Sequence, residues 1–329
     1  GSAHSTNGNT NIATRDVISK ASARLNGRTP SLAVVFATPE HPLDKVLGQL
    51  KTSLGCPALG CTSGGPLTDQ GASMGPGLAL LLIAADDWVV DLAMAQGLNA
   101  SPGQATRKLC AGYGRAAETA AQKSLSQCTS LILVEAYGTS AAEAMVRDFM
   151  TRTRPFQQMV GGAAADHLTF DKRRVGMNGE VAGDAAVVAH VFGNKRWGLG
   201  LAHGLSPSTK PMVVTRSSGA RVHSLDDKSA LSVYQDFARG AGERIGPGGA
   251  NSFLYQHNLG LYMLDELRSA RAPMTLHEDG AVDFAADVPQ GSRCCILSGD
   301  GESMLRATTE AAREARENLG GREAAGLLV

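Results

Sequence analysis

Residues with usable chemistry gather at two glycine-rich runs. Cys61-Thr62-Ser63 sets a thiol and two hydroxyls in a row inside the run Gly60–Gly65. Such groups hydrogen-bond a polar ligand, and a thiol beside a base can act as a nucleophile. The second run extends from Gly161 to Asp166 and has Gly162-Ala163-Ala164 where the thiol and hydroxyls would fall. The fold itself therefore requires neither group, and the difference favours function in the first run. Glycine lets a ligand approach backbone amides closely. The plainer account of both runs is tight turning between strands, with Cys61 a buried packing residue.

Histidine supplies the remaining chemistry. His167 follows Asp166, His203 stands where the first half of the chain has Gln96, and His257 follows Phe253 and Tyr255. Each could ligate haem iron as a neutral imidazole, or simply hydrogen-bond within the fold. A ligand pocket between the two glycine runs would draw on Gly60, Cys61, Thr62, Ser63, Gly64, Gly161, Gly162, Asp166 and His203. His190 lies in a strand and could point to either face. His4, His41, His223 and His277 read as turn or surface residues. Cys294 and Cys295 are adjacent in a strand and face opposite ways, one into the core and one partly exposed, so they form no metal site.

The segments around these residues repeat. Ser31–Ala37 reads as a buried strand, and Asp44–Leu54 follows with Val46, Leu47, Leu50 and Leu54 at helical spacing. Then come a strand ending in the first glycine run, a strand at Gly77–Ala84 and another at Val89–Leu98. Ser130–Tyr137 matches Ser31–Thr38, a helix at Ser140–Thr153 follows, and Asp184–Phe192 answers Gly77–Ala84. Leu199–Leu205 answers Leu92–Leu98 without a gap. The expected fold is α/β (α+β), with duplicated β-α-β-β-β units forming mixed sheets flanked by helices. The closely joined later strands are expected to be antiparallel neighbours. Residues Ala13–Leu25 predict a helix. Residues 1–12 read as a tag scar and a disordered start, 13–226 as one region with repeats at about 31–98 and 130–205, and 227–329 as another. From Pro211 the pattern changes: Met212–Thr215 and Ala220–Leu225 predict a hairpin, and Asp226 caps a helix to Ala238. Arg239–Asn251 is a glycine-rich loop, strand pieces lie around Leu261 and Val282, and Glu302–Asn318 is an amphipathic helix. Ala324–Val329 begins a further strand that the chain leaves incomplete.

Composition excludes several classes. The chain has 31 basic and 31 acidic residues, so it offers no electrostatic reason to bind nucleic acid or an anionic membrane. No apolar run approaches the length of a membrane helix. The six cysteines include no C-x2-C pair and read as reduced thiols of a cytoplasmic protein. There is no G-x4-G-K-[ST], H-E-x-x-H or G-x-S-x-G, and the Gly240–Gly246 segment has the wrong spacing and context for a dinucleotide loop.

Several segments resemble the FIST family of sensory domains. They are Gly60-Cys-Thr-Ser-Gly-Gly65, Val160-Gly-Gly-Ala-Ala-Ala-Asp166, Val181–Phe192, His203-Gly-Leu-Ser-Pro207, Val213–Thr215, Val222–Tyr234, Val288–Leu297 and Ala324–Val329. In order they span Ser31–Val329. The resemblance implies a non-enzymatic sensor of a small ligand, such as an amino acid, in intracellular signalling. It also implies two alternatives. One is a haem protein of bacterial type that senses nitric oxide and regulates a histidine kinase. The other, left open by the residues themselves, is an enzyme centred on Cys61 or a His–Asp pair.

Overall fold

The computed structural model describes residues 1–136, 140–154, 157–249 and 252–329. The chain divides into two compact units. Unit 1 contains the residues up to 136, Ala141–Trp197 and Ala324–Val329, and unit 2 contains Gly198–Glu323. The expected boundary at 226/227 falls inside unit 2.

Unit 1 runs β1 (Ser2–Ser5), α1 (Thr10–Ala23), β2 (Leu32–Ala37), α2 (Leu43–Leu54) and β3 (Ala58–Thr62). A small pair, β4 (Leu67–Thr68) and β5 (Gly71–Ala72), precedes β6 (Leu78–Ile83), β7 (Val89–Gln96), α3 (Pro102–Leu109) and α4 (Tyr113–Gln122). The second half has β8 (Gln127–Glu135), α5 (Ala141–Arg152), β9 (Gln158–Ala163), β10 (Val175–Met177), β11 (Glu180–Ala182) and β12 (Ala185–Gly193). One sheet has the order β1-β6-β2-β3-β10-β11, the other β7-β12-β8-β9.

The two sheets pack face to face. Leu32, Val34, Leu59 and Cys61 of the first meet Leu131, Leu133, Val187 and Ala189 of the second in one core. Alternate residues Ala33, Val35 and Ala37 turn outward under α1 and α2. Ile132, Ala186 and Val188 turn outward under α3 and α5. Strands covered on both faces need continuous apolar runs rather than alternation, which is how β2 and β12 read. Each fully buried Leu or Val contributes roughly 1.5–3 kcal/mol. Helix α2 ends where Gly55 takes a φ of 64°, a left-handed cap.

The duplication is visible in strand order. β6-β2-β3 and β12-β8-β9 each combine an antiparallel neighbour with a parallel β-α-β pair. Gly60 lies opposite Val35, and Gly161 opposite Ile132. A Cβ on Gly60 would stand 2.3 Å from the Val35 carbonyl oxygen, and one on Gly161 1.7 Å from that of Ile132. The two glycines therefore mark equivalent places where parallel strands approach too closely for a side chain.

Four expectations need correction in unit 1. β7 does not pair with β6; it crosses to the other sheet and pairs with β12. Ser2–Ser5 forms a strand on β6, so the first residues are ordered. Ala324–Val329 adopts no strand and is exposed except at Leu328. Helices α3 and α4 had no counterpart in the sequence reading; they bury Ala105, Thr106 and Leu109, and Tyr113, Ala116, Ala117 and Ala120. Tyr137 and Asn251, at the ends of two expected segments, lie outside the described residues.

Unit 2 comprises β13 (Ser206–Pro207), β14 (Met212–Ser218), β15 (Arg221–Leu225), β16 (Lys228–Ser229), α6 (Ala230–Gly240), β17 (Gly248–Gly249) and α7 (Ser252–Gln256). It continues with β18 (Leu259–Met263), β19 (Glu266–Arg271), β20 (Pro273–Leu276), β21 (Val282–Phe284), β22 (Arg293–Ser298) and α8 (Gly301–Glu317). The sheet is antiparallel, and α6 buries Leu231 and Tyr234 against Val214, Val222 and Phe284. Ser229, not Asp226, caps α6; Asp226 and Asp227 form a turn with φ of 47° and 62°. Residues 199–205, expected as a strand, have no regular structure.

Gly161→Ala is expected to lower stability by roughly 1–3 kcal/mol or more through overpacking. Gly162→Ala, where a Cβ meets nothing within 4 Å, should stay within about 0.5 kcal/mol of the parent. Urea denaturation of the two variants checks the contrast.

Candidate functional site

Open α/β sheets bind ligands outside the carboxyl ends of their parallel strands. In unit 1 those ends belong to β2, β3, β8 and β9. Thr62 joins them. Its N–H donates to the Arg174 carbonyl at 2.9 Å, and its carbonyl accepts from Ala165 N–H at 3.0 Å. Its Oγ1 accepts from Arg174 N–H at 2.9 Å. Thr62 is thus spent on stitching the second glycine run and the following loop to β3. A Cβ on Gly64 would lie 3.5 Å from the Asp166 carbonyl oxygen. The structure therefore brings the two glycine runs into direct contact.

Asp166 is 5% exposed. Its carboxylate accepts from the N–H groups of Thr169 (3.1 Å), Phe170 (3.0 Å) and Lys172 (3.1 Å) and from Thr169 Oγ1 (3.1 Å). Burial pushes its pKa up, but these donors outweigh burial and hold it below the ordinary value. The same bonds fix Leu168 and Phe170 at φ of 63° and 61°. Asp166 is therefore a loop clamp. Behind it, Arg173 pairs with Glu135 at 3.1 Å, with side chains 10% and 12% exposed. Glu135 also accepts from Asp184 N–H, tying the end of β8 to the start of β12. Breaking a buried pair of this kind costs roughly 3–5 kcal/mol.

At the outer side, His167 Nε2 lies 3.0 Å from Glu40 Oε1, joining the loop after β9 to the loop after β2. His167 thus pairs with Glu40 rather than with its neighbour Asp166. Hydrogen bonding from Thr38, opposed by burial and helped by His167, brings the Glu40 pKa down to about 2. Ser63 and Gly64 are half-buried, while Gly161, Gly162 and Arg174 are exposed. Glu40, Glu135, Arg173 and Arg174 were not singled out in the sequence. Glu135 had a signal, a lone carboxylate closing the apolar run of β8.

Other candidates do not join this cluster. Cys61 is 3% exposed in the core between the sheets, where burial raises its pKa to about 12. A thiol held protonated there is no nucleophile. His203 is exposed in the irregular segment of unit 2, with Nδ1 accepting from Leu205 N–H at 3.3 Å. His257 has Nδ1 2.8 Å from Ser298 Oγ, with Phe253 and Phe237 against its ring. His190 is buried, bonded to Ser130 Oγ at 2.9 Å and the Leu109 carbonyl at 3.1 Å. His41, expected at the surface, is 1% exposed and lies 3.1 Å from Thr10 Oγ1. Cys294 and Cys295 are both buried, so neither is the expected exposed member. Open hollows lined by His4, Asp16 and Lys20, and by Leu305 and Arg306, share no residue with the glycine strands. Among the described residues no cluster of His, Cys, Asp or Glu is arranged to hold a metal ion, and no helix is long and apolar enough to cross a membrane.

The chain thus combines a duplicated α/β unit, with polar groups at its parallel strand ends, and an antiparallel unit. The FIST N domain matches residues 31–228 and the FIST C domain residues 230–329. The chain belongs to the FIST family, whose domains are sensory domains of signal transduction. It is also similar to an uncharacterized protein of Methanocaldococcus jannaschii, MJ1623, with 25% identity over 168 residues. That match covers 48% of this chain and 33% of the archaeal protein.

Two outcomes test the site's electrostatics. The stabilisation that Glu40 provides should be full above its unfolded pKa of about 4.3. It is lost as pH falls through the folded value of about 2. The difference in urea midpoint between the parent and Glu40→Gln should therefore be present at pH 6 and vanish in strong acid. Separately, Cys61 should resist iodoacetamide at pH 8 in the folded chain and react once the chain is unfolded, as peptide mass mapping reads directly.

Proposed function

We propose that this chain is a small-ligand sensor whose ligand sits on the carboxyl ends of the two parallel strand pairs of unit 1. One observation carries the proposal: the Thr62–Ala165 hydrogen bond brings both glycine runs to one place. The Glu40–His167 pair links the loops that follow β2 and β9, and Arg174 bonds Thr62 from the segment after the second run. That mix of amides, a carboxylate, an imidazole and a guanidinium suits a small polar metabolite such as an amino acid. Thr62, Cys61, Asp166, Gly60 and Gly161 build the site without contacting the ligand. The buried Cys61 thiol and the fully engaged Asp166 carboxylate support binding rather than turnover.

Ligand state would pass by population shift to a separate signalling protein, a histidine kinase being the expected kind. The six free thiols support a reducing, cytoplasmic setting. A haem-dependent variant has one observation behind it. His257 alone of the three candidates combines a held Nδ1 with aromatic neighbours, whereas the surroundings of His167 and His203 are polar and exposed. Absence of a Soret band after haem addition would remove that variant.

Gly162→Val tests the main reading, because it adds bulk at the site where the fold has space. A thermal-shift screen of amino acids and small metabolites on the parent should give a hit. The variant should keep the parent's melting temperature and bind that hit at least tenfold more weakly. Unchanged affinity in Gly162→Val and in Arg174→Ala would place the ligand elsewhere.

A further inference from the structure

Asp91, His190 and Ser130 stand in one row across β7, β12 and β8. The ladders pair His190 with Asp91 on one side and with Ser130 on the other. Directly paired residues project from one face of a sheet, here the face that packs under α3 and α5. His190 and Ser130 are fully buried there. The Tyr113 ring lies 5.0 Å from the imidazole at 70°, and Phe149 stacks on it at 5.5 Å.

The bonds of this row fix the state of the ring. Nε2 lies 3.1 Å from the Leu109 carbonyl, which only accepts, so Nε2 carries a hydrogen. In the neutral ring Nδ1 is then an acceptor, and Ser130 Oγ, 2.9 Å away, donates to it. The Gln157 amide donates in turn to Ser130 Oγ. A proton added at Nδ1 would meet the Ser130 hydroxyl hydrogen, and that hydroxyl would have to turn away. Burial favours the neutral ring as well and lowers its pKa, against the opposing effects of the Leu109 bond and Asp91. The same row seats the corner between α3 and α4. Leu109 ends α3, and Gly112 caps α4. A Cβ on Gly112 would stand 2.3 Å from Asp91 Oδ2, a buried oxygen with no partner. The corner therefore rests on two ionisable side chains.

We propose that this row is a proton site: proton uptake at His190 unseats the α3–α4 corner, so that acid acts on unit 1 independently of any ligand. The surrounding groups leave His190 as the one to respond. Asp91 faces it from β7 as a carboxylate. Ser130 and Cys128 come from β8, Cys110 follows α3, Tyr113 belongs to α4, and Gln157 precedes β9. Burial pushes Cys110 up to about 11 and Cys128 up to about 12, and it raises Tyr113, so these three stay protonated in mild acid. On α5, Asp148 and Arg152 pair with each other at 2.9 Å. Arg154 is exposed, and its N–H donates to Tyr113 Oη at 3.2 Å. With a folded pKa below the unfolded value of about 6.5, His190 leaves the corner fully seated above that pH. The seating is lost as pH falls below it towards the folded value.

Hydrogen–deuterium exchange of the full chain at pH 7.5 and pH 5.0, corrected for intrinsic exchange, reads the corner directly. One proton changes its opening by at most about tenfold per pH unit. Protection of 102–122 is expected to fall about tenfold between the two conditions, while β2 in the other sheet keeps its protection. His190→Gln retains a donor towards the Leu109 carbonyl, and His190→Asn retains a polar group towards Ser130; neither titrates. Whichever of them folds should show the same protection of 102–122 at both pH values. The proposal is overturned if a folded variant keeps the acid response of the parent. It is equally overturned if the parent shows no response, or one shared equally by β2 and α2, and that profile decides alone should neither variant fold. No ligand enters these readouts, so a misplaced ligand seat leaves them unchanged.

Discussion

Everything at the candidate site depends on Thr62. A buried threonine at the end of a strand has three polar groups to satisfy, and all three go to the second repeat: Arg174 twice and Ala165 once. Leaving such groups unpaired costs about 1–3 kcal/mol each, so the contact between repeats is enforced rather than incidental. It sets β10 beside β3 and brings the loop clamped by Asp166 over the first glycine run. The second constraint is the pair Gly60 and Gly161, where strand backbones meet without room for a side chain. Together they place two loops of opposite origin at one edge, with Glu40 and His167 facing each other across it.

Much of unit 1 was legible in sequence because its strands are covered on both faces. β2, β6, β8 and β12 announce themselves as apolar runs, and the repeat of those runs revealed the duplication. Partner choice was not legible. β7 pairs with a strand about a hundred positions later, and nothing in Val89–Gln96 tells it from a hairpin partner of β6. The glycine runs were found, but their roles were split differently. Cys61 and Thr62 carry the conspicuous chemistry and are buried, while the groups that face outward, Glu40 and Arg174, come from unremarkable loop sequence. His203 was aligned with Gln96 on sound periodicity, yet sits in a segment that forms no strand.

A sensor must hold two states close in free energy, with the ligand favouring one. Unit 1 couples a site to a sheet edge through short links: Thr38 bonds both polar groups of Gly77, where β6 begins. A ligand that reorients Thr38 or Glu40 therefore acts on that edge directly.

The most direct measurement is hydrogen–deuterium exchange of the whole chain with and without a ligand found by thermal shift. The account predicts slowed exchange concentrated in 38–41, 62–66 and 162–174, the loops that Thr62 draws together. Protection confined to unit 2, or spread evenly with those three segments unchanged, would contradict it.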